Sequence, residues 1–585
     1  MNMIGLFRQN SKIQKEKNLK SFLWVIIIFA SAWGTYKSVF YGNDIDESYA
    51  ITQAYRLVIG DRLFSQMWEV HQTSAFFMAP FIYIYRLLAG NTIGMVLFLR
   101  IVGCFLLAAV SIFFFFALRE YINDNIAGMI AVIVYNYTPK YLQVLEFCML
   151  EYIFAIALAG SILIYVKTQK TKWVFAIAIC LAGCVLAYPM IVMVAPIVIW
   201  LICLITDKND RKKVVGILII TDIALAAFFI GYILNGISVL DFTRNISYIL
   251  QDGAHQISLG KKMTDGILEY AGLQKYSIAG MIVMEIVALL YRNSNREKII
   301  KNMIPLFILL CLMGGFIFML YTGGQEGIRF IHLSYWVYSV FPGLIYLNYR
   351  IPEFQETKTG IGFKSEDKVF GIITCIMFLV FIIAYLQSNM DMYSNGGLLL
   401  PALLIQLALF CMKYDGEIIQ KVCIVYLLLL FLFFRCVCIR FTSVQAITVF
   451  DKMYKTEVGP LKGIYQTQAE HIMYHSKLEA IQKNVSVDDT LLILGSDTYL
   501  YFFVGNNIGT PSTISTPVFG DSFVEYFKLY PDKKPSIVAL DKYSYNYDRL
   551  LENESLYDWL ERNYDIANPI DSYYLEIYRS IEKDE

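Results

Sequence analysis

Long apolar runs recur from about residue 22 to about residue 441, and they constrain the fold of this chain more than any other feature. Of the 585 residues, 57% are hydrophobic and only 17% are charged. The apolar residues collect in runs of roughly 16–25, the length that lets an α-helix cross the hydrocarbon core of a membrane. A soluble chain of this size would carry more charge and divide into several domains. The pattern therefore predicts a polytopic α-helical membrane protein.

About thirteen segments have the length and apolarity of a membrane span. A basic stretch, Lys12 to Lys20, precedes the first of them, and no small-residue cleavage site follows it, so we interpret this span as an uncleaved signal anchor. The predicted spans are 22–41, 100–118, 126–138, 148–166, 172–188, 190–206, 213–234, 277–292, 303–321, 331–349, 369–387, 398–413 and 422–441.

The distribution of Lys and Arg sets the predicted orientation. Residues 75–89 are apolar but short and contain Pro80, with Arg86 close to their end, so we interpret them as an interfacial helix in the first outer loop. With that choice the basic clusters share one side with the N-terminus, as expected of cytoplasmic loops in the plasma membrane. The odd number of spans then places the C-terminus outside. The clusters lie at residues 119, 167–172, 208–213, 292–301, 350–368 and 413.

The C-terminal residues 442–585 differ from the rest because they are polar and rich in Tyr. Strand-like runs at 491–494 and 537–540, with helical stretches near 465–482 and 547–562, predict a small extracytoplasmic α/β domain. The domain division is thus 1–441, with outer loops 42–99 and 235–276, followed by 442–585. All eleven Cys lie in or beside apolar runs, so the outer domain has no disulfide framework. The net charge of zero gives no basic face for nucleic acid.

The first outer loop carries Asp44, Asp46 and Glu47 directly after the first span. Carboxylates beside hydrocarbon are costly, which makes this loop a candidate functional site. One of them could act as a general base toward an acceptor hydroxyl. The Asp-x-Asp spacing of Asp44 and Asp46 also suits a divalent cation, because such cations prefer oxygen ligands. The plainer alternative is a set of solvated loop charges.

Further polar residues on the predicted outer face are candidates for binding substrate. Glu69 and His71 form a second cluster ahead of the interfacial helix, where a cationic His would neutralise a lipid phosphate. Arg100 opens the second span, where it would order the acidic loop, bind phosphate or simply reach toward the membrane surface. Glu151 begins a membrane helix, where a carboxylate needs a partner or water. The remaining candidates for contacting phosphate are Arg244, Lys261, Arg329 and His332.

The order of these features resembles the class-C membrane glycosyltransferases, specifically the protein O-mannosyltransferase and aminoarabinose-transferase superfamily. The resemblance covers about residues 22–235. A His-Pro or Lys-Pro pair is common in that superfamily where this chain has His71-Gln72, and the later acid is often Asp where Glu151 stands. The residues that carry the resemblance are Asp46-Glu47-Ser48-Tyr49, Gly60-Asp61-Arg62-Leu63-Phe64, Trp68-Glu69-Val70-His71-Gln72, Arg100 and Glu151.

The resemblance implies transfer of one sugar, with inversion, from a polyprenyl-phosphate donor to an envelope acceptor such as a glycan, wall polymer, lipid or protein. Asp46 would be the principal catalytic or acceptor-orienting carboxylate, supported by Glu47, while His71 and Arg100 would help with the donor phosphate or with loop order. A phosphate leaving group departs without protonation, so one base and cationic stabilisation would suffice. No cofactor beyond a divalent cation is expected.

Two other functions stay open at the level of sequence. A chain with this many spans could be a transporter or a flippase of a lipid-linked glycan, although repeated halves and paired broken helices, the usual signs of transport, are not evident in the sequence. The Tyr-rich outer domain would also suit a non-enzymatic envelope-assembly protein that binds a wall polymer or a partner.

Overall fold

The computed structural model describes residues 3–138, 142–250, 258–290, 340–346, 348, 365–388, 396–413, 424–425, 428, 431–432, 435–441, 446–502, 507–514, 520–544 and 554–581. Helices make up most of this part up to residue 413, and a mixed α/β region follows. The helices before residue 250 are α1 (Met3–Phe40), α2 (Ile45–Val58), α3 (Gln72–Ala89), α4 (Met95–Leu118), α5 (Asp124–Asn136), α6 (Phe147–Thr168), α7 (Thr171–Ala187), α8 (Ala195–Ile205), α9 (Arg211–Leu234) and α10 (Val239–Ile249). They are followed by α11 (Leu259–Leu290), α12 (Ser365–Gln387) and α13 (Leu400–Lys413).

Five helices in the described part are long and apolar enough to cross a membrane: Ser21–Phe40 within α1, α4, α6, α9 and Glu366–Gln387 within α12. Three shorter apolar helices cover Thr171–Ala187, Pro189–Ile205 and Gly397–Lys413. The mostly helical, apolar fold agrees with the sequence prediction, whereas the count of thirteen and the N-in, C-out orientation stay predictions. The predicted span 303–321, most of 331–349 and part of 422–441 lie outside the described residues.

Two helices occupy the first outer loop. α3 corresponds to the predicted interfacial helix at 75–89, and it packs against α2. The acidic cluster, which the sequence analysis treated as loop, is the start of α2: the Asp44 side chain accepts a hydrogen bond of 2.9 Å from the backbone N–H of Asp46. Such a cap satisfies one of the unpaired N–H groups at a helix start, and the helix dipole favours acidic residues there.

Two predicted boundaries differ from the elements of the structure. Residues 277–290 of the span predicted at 277–292 form the second part of a single helix, α11, which begins at Leu259 inside the predicted outer loop 235–276. The span predicted at 422–441 ends in a strand, β1 (Cys438–Phe441), which pairs antiparallel with β2 (Ala446–Thr448). Short apolar runs fit helix and strand equally well, so the sequence pattern did not separate the two. Because β1 and β2 lie on either side of residue 442, the domain division there stays a prediction.

The C-terminal region contains a four-stranded sheet in the order β5-β6-β8-β7. β5 and β6 are parallel and fully buried, and they match the predicted runs at 491–494 and 537–540. β8 pairs antiparallel with both β6 and β7. A small hairpin precedes the sheet. The elements of this region are β3 (Met453–Lys455), β4 (Tyr465–Thr467), α14 (Gln468–Asn484), β5 (Leu491–Leu494), α15 (Gly520–Leu529), β6 (Ile537–Asp541), α16 (Glu554–Asn563), β7 (Ile570–Asp571) and β8 (Leu575–Arg579).

The first outer loop contributes a side chain to the core of the C-terminal region. Trp68 is fully buried among residues of α15 and β6, with its ring 5.1 Å from that of Tyr526 and parallel to that of Tyr248 at 4.7 Å. Its backbone N–H donates to the carbonyl of Pro511 at 2.8 Å. Burying an indole removes a large apolar area from water, so the C-terminal region fixes the position of this loop.

Candidate active site

Asp46 lies in the first turn of α2 and is half-buried. Tyr49 and Gln53 follow it by three and seven residues, a spacing that places all three on one face of the helix. The hydroxyl of Tyr49 and the amide of Gln53 both donate to the carbonyl of Val70, at 2.9 Å and 3.0 Å. The face of α2 that carries Asp46 is therefore packed against the segment that leads into His71.

The neighbouring Glu47 is buried and forms a bidentate ion pair with the fully buried Arg100, at 2.7 Å from Nε and 2.6 Å from Nη2. The remaining N–H groups of this guanidinium donate to the carbonyls of Val39, Tyr41 and Gly42, at 3.0, 3.5 and 2.8 Å. A guanidinium has five N–H donors, and these contacts engage all five. Arg100 thus orders the turn before α2, the first of the roles predicted for it, and none of its N–H groups is left over for a phosphate.

Tyr499 of the C-terminal region completes this cluster, since its hydroxyl lies 2.9 Å from Oε2 of Glu47. Burial, and next the charge of Glu47, hold the pKa of Tyr499 well above its ordinary value. The hydroxyl therefore stays protonated and donates to the carboxylate. Glu47, predicted as a support for Asp46, is enclosed between Arg100 and Tyr499 and fixes the first turn of α2 rather than facing an open site.

Glu69 belongs to a second buried network, centred on Arg56. Arg56 pairs with Asp61 at 2.7 Å and with Glu69 at 2.8 Å, and all three side chains are nearly inaccessible to solvent. From the C-terminal region, Lys533 pairs with Asp61 at 2.5 Å, while the backbone N–H of Thr513 donates to Glu69 at 3.2 Å. The carboxylate predicted to bind substrate therefore joins the outer loop to the C-terminal region. Arg56 was not predicted as a site residue, because no local sequence pattern distinguishes it from an ordinary helix surface residue.

His71 is buried in an aromatic setting at the start of α3. Its ring stacks on Phe147, with the centroids 4.0 Å apart and the planes 8° apart, and meets the ring of Tyr188 edge-on at 5.1 Å. Phe147 begins α6 and Tyr188 follows α7, so His71 lies where these two helices end on the side of the first outer loop. Its φ of 61° is the left-handed conformation that costs a non-glycine residue about 1–3 kcal/mol.

Glu151 lies one turn inside α6 and is fully buried. Among the described residues, neither of its carboxylate oxygens has a hydrogen-bond partner. Tyr137, Cys184 and Tyr188 are near enough to interact with it electrostatically. A buried carboxylate without a partner among the described residues is a functional-site candidate, and Tyr188, which contacts the ring of His71, lies near it.

The loop cations predicted to contact phosphate are spread more widely. Arg244 is partly exposed and pairs with Asp241 at 2.9 Å on α10. This helix reaches the first outer loop through the neighbouring Asn245, which donates to the carbonyl of Phe64 at 2.8 Å. Lys261 is exposed on α11. Arg329 and His332 lie outside the described residues.

The residues predicted to bind a metal ion, Asp44 and Asp46, are close in sequence but are only two. Across the described ranges, no group of three or more His, Cys, Asp and Glu side chains is arranged to hold a metal ion. One carboxylate oxygen of Asp44 is engaged in capping α2. A divalent cation shared by Asp44 and Asp46 stays a prediction, and other ligands would have to complete its coordination.

No protein-family profile and no curated protein sequence match this chain. Among solved structures, an Archaeoglobus fulgidus oligosaccharyltransferase in complex with Zn and sulfate is 11% identical, with a TM-score of 0.47 over 92% of this chain and 71% of its own. The ArnT of Cupriavidus metallidurans, bound to undecaprenyl phosphate, is 9% identical, with a TM-score of 0.39 over 96% of this chain and 98% of its own. Both proteins match the class-C membrane glycosyltransferases that the sequence resembles. Both TM-scores are below 0.5, so the function of this chain has to be argued from its own residues.

Proposed function

We propose that this chain is an integral-membrane glycosyltransferase that moves one hexose or pentose unit from a polyprenyl-phosphate donor to an envelope acceptor, on the outer face of the plasma membrane. The observation that supports this most is the fixed first turn of α2. Asp46 lies half-buried there, and the next residue, Glu47, is held from the membrane side by Arg100 and from the C-terminal region by Tyr499. Catalytic side chains need such supporting contacts, because small misplacements slow a reaction severely.

In the proposed mechanism the Asp46 carboxylate accepts the proton of an acceptor hydroxyl. The acceptor oxygen forms a bond to the anomeric carbon of the donor sugar while the bond from that carbon to the phosphate oxygen breaks. The phosphate takes the bonding electrons and leaves as polyprenyl phosphate. Attack from the face opposite the phosphate inverts the configuration at the anomeric carbon. No general acid is needed, since a phosphate is a good leaving group without protonation.

The surrounding residues would bind the donor and shape the site. His71 lies at the start of α3, where backbone N–H groups of a helix N-terminus favour an anion such as the donor phosphate. The first outer loop would be positioned by Glu47, Glu69 and Arg100, because their side chains make buried contacts that hold it in place. Glu151 would face the same pocket from α6. The loop cations predicted to contact the donor phosphate would add positive charge to the site, and these are Arg244, Lys261, Arg329 and His332.

Transfer from labelled donors tests the proposal. Membranes containing the wild type, Asp46→Asn or Asp488→Asn are incubated with radiolabelled polyprenyl-phosphate sugars and host envelope material, beginning with undecaprenyl-phosphate donors. Asp488 is an exposed carboxylate of the C-terminal region. Its variant removes the same charge as Asp46→Asn and therefore serves as the control. We expect labelled product with the wild type and Asp488→Asn, and a loss of about a hundredfold or more with Asp46→Asn.

Other outcomes separate the alternatives. Equal transfer by Asp46→Asn would remove this residue as the base while leaving the enzyme in place. Failure of transfer from every donor, together with movement of a lipid-linked glycan across liposomes that contain the protein, would favour a flippase. A parallel reaction with EDTA, and with Mg²⁺ restored afterwards, tests the proposed cation at Asp44 and Asp46.

A further inference from the structure

Three tyrosine rings, two of them exposed, form a cluster on the C-terminal region, here called the tyrosine platform (Tyr543, Tyr573 and Tyr574). Tyr543 follows β6, while the other two lie in the turn between β7 and β8. The rings of Tyr543 and Tyr573 stack with centroids 5.7 Å apart and planes 24° apart, and Tyr574 lies 5.0 Å and 4.7 Å from them. Tyr543 is 56% exposed and Tyr573 is 69% exposed.

Backbone contacts hold the two segments of the platform in place. The backbone N–H of Tyr543 donates to Oδ1 of Asp541 at 3.1 Å, and the N–H of Lys542 donates to the carbonyl of Tyr574 at 3.1 Å. The rings are thus presented to solvent on a fixed backbone and do not cover a core. Clustered aromatic surface that stays exposed on a rigid support is typical of a binding site.

The chemistry of the platform fits a neutral saccharide. A pyranose ring presents C–H groups on its faces, which pack on aromatic rings, and hydroxyls around its edge, which need hydrogen-bond partners. Tyrosine offers both an apolar face and a polar tip. Beside the platform, Lys542 and Asp571 form an ion pair at 2.6 Å, with Asp571 64% exposed. This pair adds donors and an acceptor without adding net charge, which favours an uncharged sugar chain over an anionic one.

A chain of buried contacts joins the platform to the candidate active site. Asp541, which anchors Tyr543, pairs with Lys477 at 2.7 Å, and Lys477 also pairs with Asp497 at 3.5 Å. Asp497 lies two residues before Tyr499, which contacts Glu47. β5 and β6 are parallel, so the segments that follow them emerge at the same edge of the sheet. The platform is therefore at the same end of the sheet as the segment that leads to Tyr499 and its contact with Glu47.

We propose that the tyrosine platform binds a neutral oligosaccharide segment of the envelope acceptor and delivers its end toward Asp46. That the bound saccharide is an acceptor rests on the proposed function. Binding of the sugar chain by the platform does not require that transfer occurs. Stacking on two exposed rings selects for pyranose faces more than for one stereoisomer. The site should therefore bind several neutral oligosaccharides weakly, with the contribution of each ring measurable by its removal.

The test is direct binding to the full chain in lipid nanodiscs. The probes are maltotetraose, mannotetraose and chitotetraose, and binding is measured by saturation-transfer NMR and titration calorimetry. The double variant Tyr543→Ala/Tyr573→Ala removes two exposed rings, and Tyr557→Ala, a 42% exposed tyrosine on α16, is the matched control. We expect the wild type, Tyr557→Ala and Asp46→Asn to bind at least one probe, and the double variant to bind about tenfold more weakly. Tyr543→Phe/Tyr573→Phe should keep most of the binding because the ring faces remain.

Three results would overturn the inference: no binding of any probe to the wild type, equal binding by the double variant, or binding in detergent that is absent in nanodiscs. The last would mean that the rings contact lipid in the membrane. The two proposals fail separately. If transfer depends on Asp46 but no saccharide binds at the tyrosines, the proposed transferase function stands and the saccharide site at the platform is rejected. If a saccharide binds at the tyrosines but no donor supports transfer, the saccharide site stands and the proposed transferase function is rejected.

Discussion

Tyr499 and Glu47 are 452 positions apart in the chain, yet the hydroxyl of one lies 2.9 Å from the carboxylate of the other. Glu47 follows Asp46 directly, so the turn that carries the proposed base is fixed by a residue of the C-terminal region. The same region buries Trp68 and pairs Lys533 with Asp61. The structure of the first outer loop therefore depends on the C-terminal region at several separate points.

The Tyr499→Phe variant should slow transfer more than it weakens donor binding. The substitution removes the hydroxyl from Glu47 but leaves the bidentate pair with Arg100, so the loop stays in place while the first turn of α2 loses one restraint. Loss of a buried hydrogen bond to a charged group costs about 1.5–3 kcal/mol of stability. We expect kcat to fall several-fold with KM for the donor nearly unchanged, as measured by initial rates in detergent.

Tyr501→Phe is the matched control for this prediction. Tyr501 is equally buried, and its hydroxyl accepts a hydrogen bond of 2.8 Å from the N–H of Ile493 inside the C-terminal region. Its loss should lower Tm, though by less because the partner is neutral, and should not change kcat at temperatures where both variants are folded. Equal effects of the two variants on kcat would assign Tyr499 a purely structural role.

The ion pair between Arg100 and Glu47 should show strong coupling in a double-mutant cycle. Either Arg100→Met or Glu47→Met alone leaves a buried charge without its partner, which costs about 3–5 kcal/mol. The double variant removes both charges, so it should be less destabilised than the sum of the two single variants. Thermal unfolding of the purified variants measures the loss of stability in the two single variants and in the double variant. A loss in the double variant equal to the sum of the two single losses would contradict the buried pairing.

Apolar patterning was sufficient to predict the apolar helices, the helix α3 and the buried strands β5 and β6. Each of these elements follows from a local period or a run of residues. The start of α2 was also visible, since Asp44 followed three residues later by Glu47 is a pattern typical of a helix N-terminus. These acids were interpreted as loop charges, so the start of the helix was not predicted.

The contacts of the site residues could not be predicted in the same way. Asp46, Glu47 and Glu69 are all acids of one outer loop, and their sequence neighbourhoods do not say which of them a buried arginine will neutralise. The partners Arg56 and Arg100 lie on two different helices, and Tyr499 and Thr513 come from the other end of the chain. Such pairings depend on tertiary packing, which a pattern within one segment does not record.

Acid should destabilise the C-terminal region through His475. Burial, and next the neighbouring His471, lower the pKa of His475 below its ordinary value of 6.5. Between the folded and the unfolded pKa the unfolded chain binds more protons, so stability is lost as the pH falls through 6.5 toward the folded pKa. The Tm of the wild type should therefore fall more steeply than that of His475→Gln between about pH 7 and about pH 5. Parallel curves for the two proteins would contradict this assignment.

Replacing His71 by glycine should relieve backbone strain, compared with alanine at the same position, and should abolish transfer. Its φ of 61° is unfavourable for any residue with a Cβ, so His71→Gly should be about 1 kcal/mol more stable than His71→Ala, which keeps the strain. Both variants lose the imidazole that stacks on Phe147, and both should lose transfer. Gln169, exposed with a φ of 53° at the end of α6, is the control: Gln169→Gly should gain stability and keep full activity. Retention of transfer by His71→Gly would show that the ring does not act on the donor phosphate.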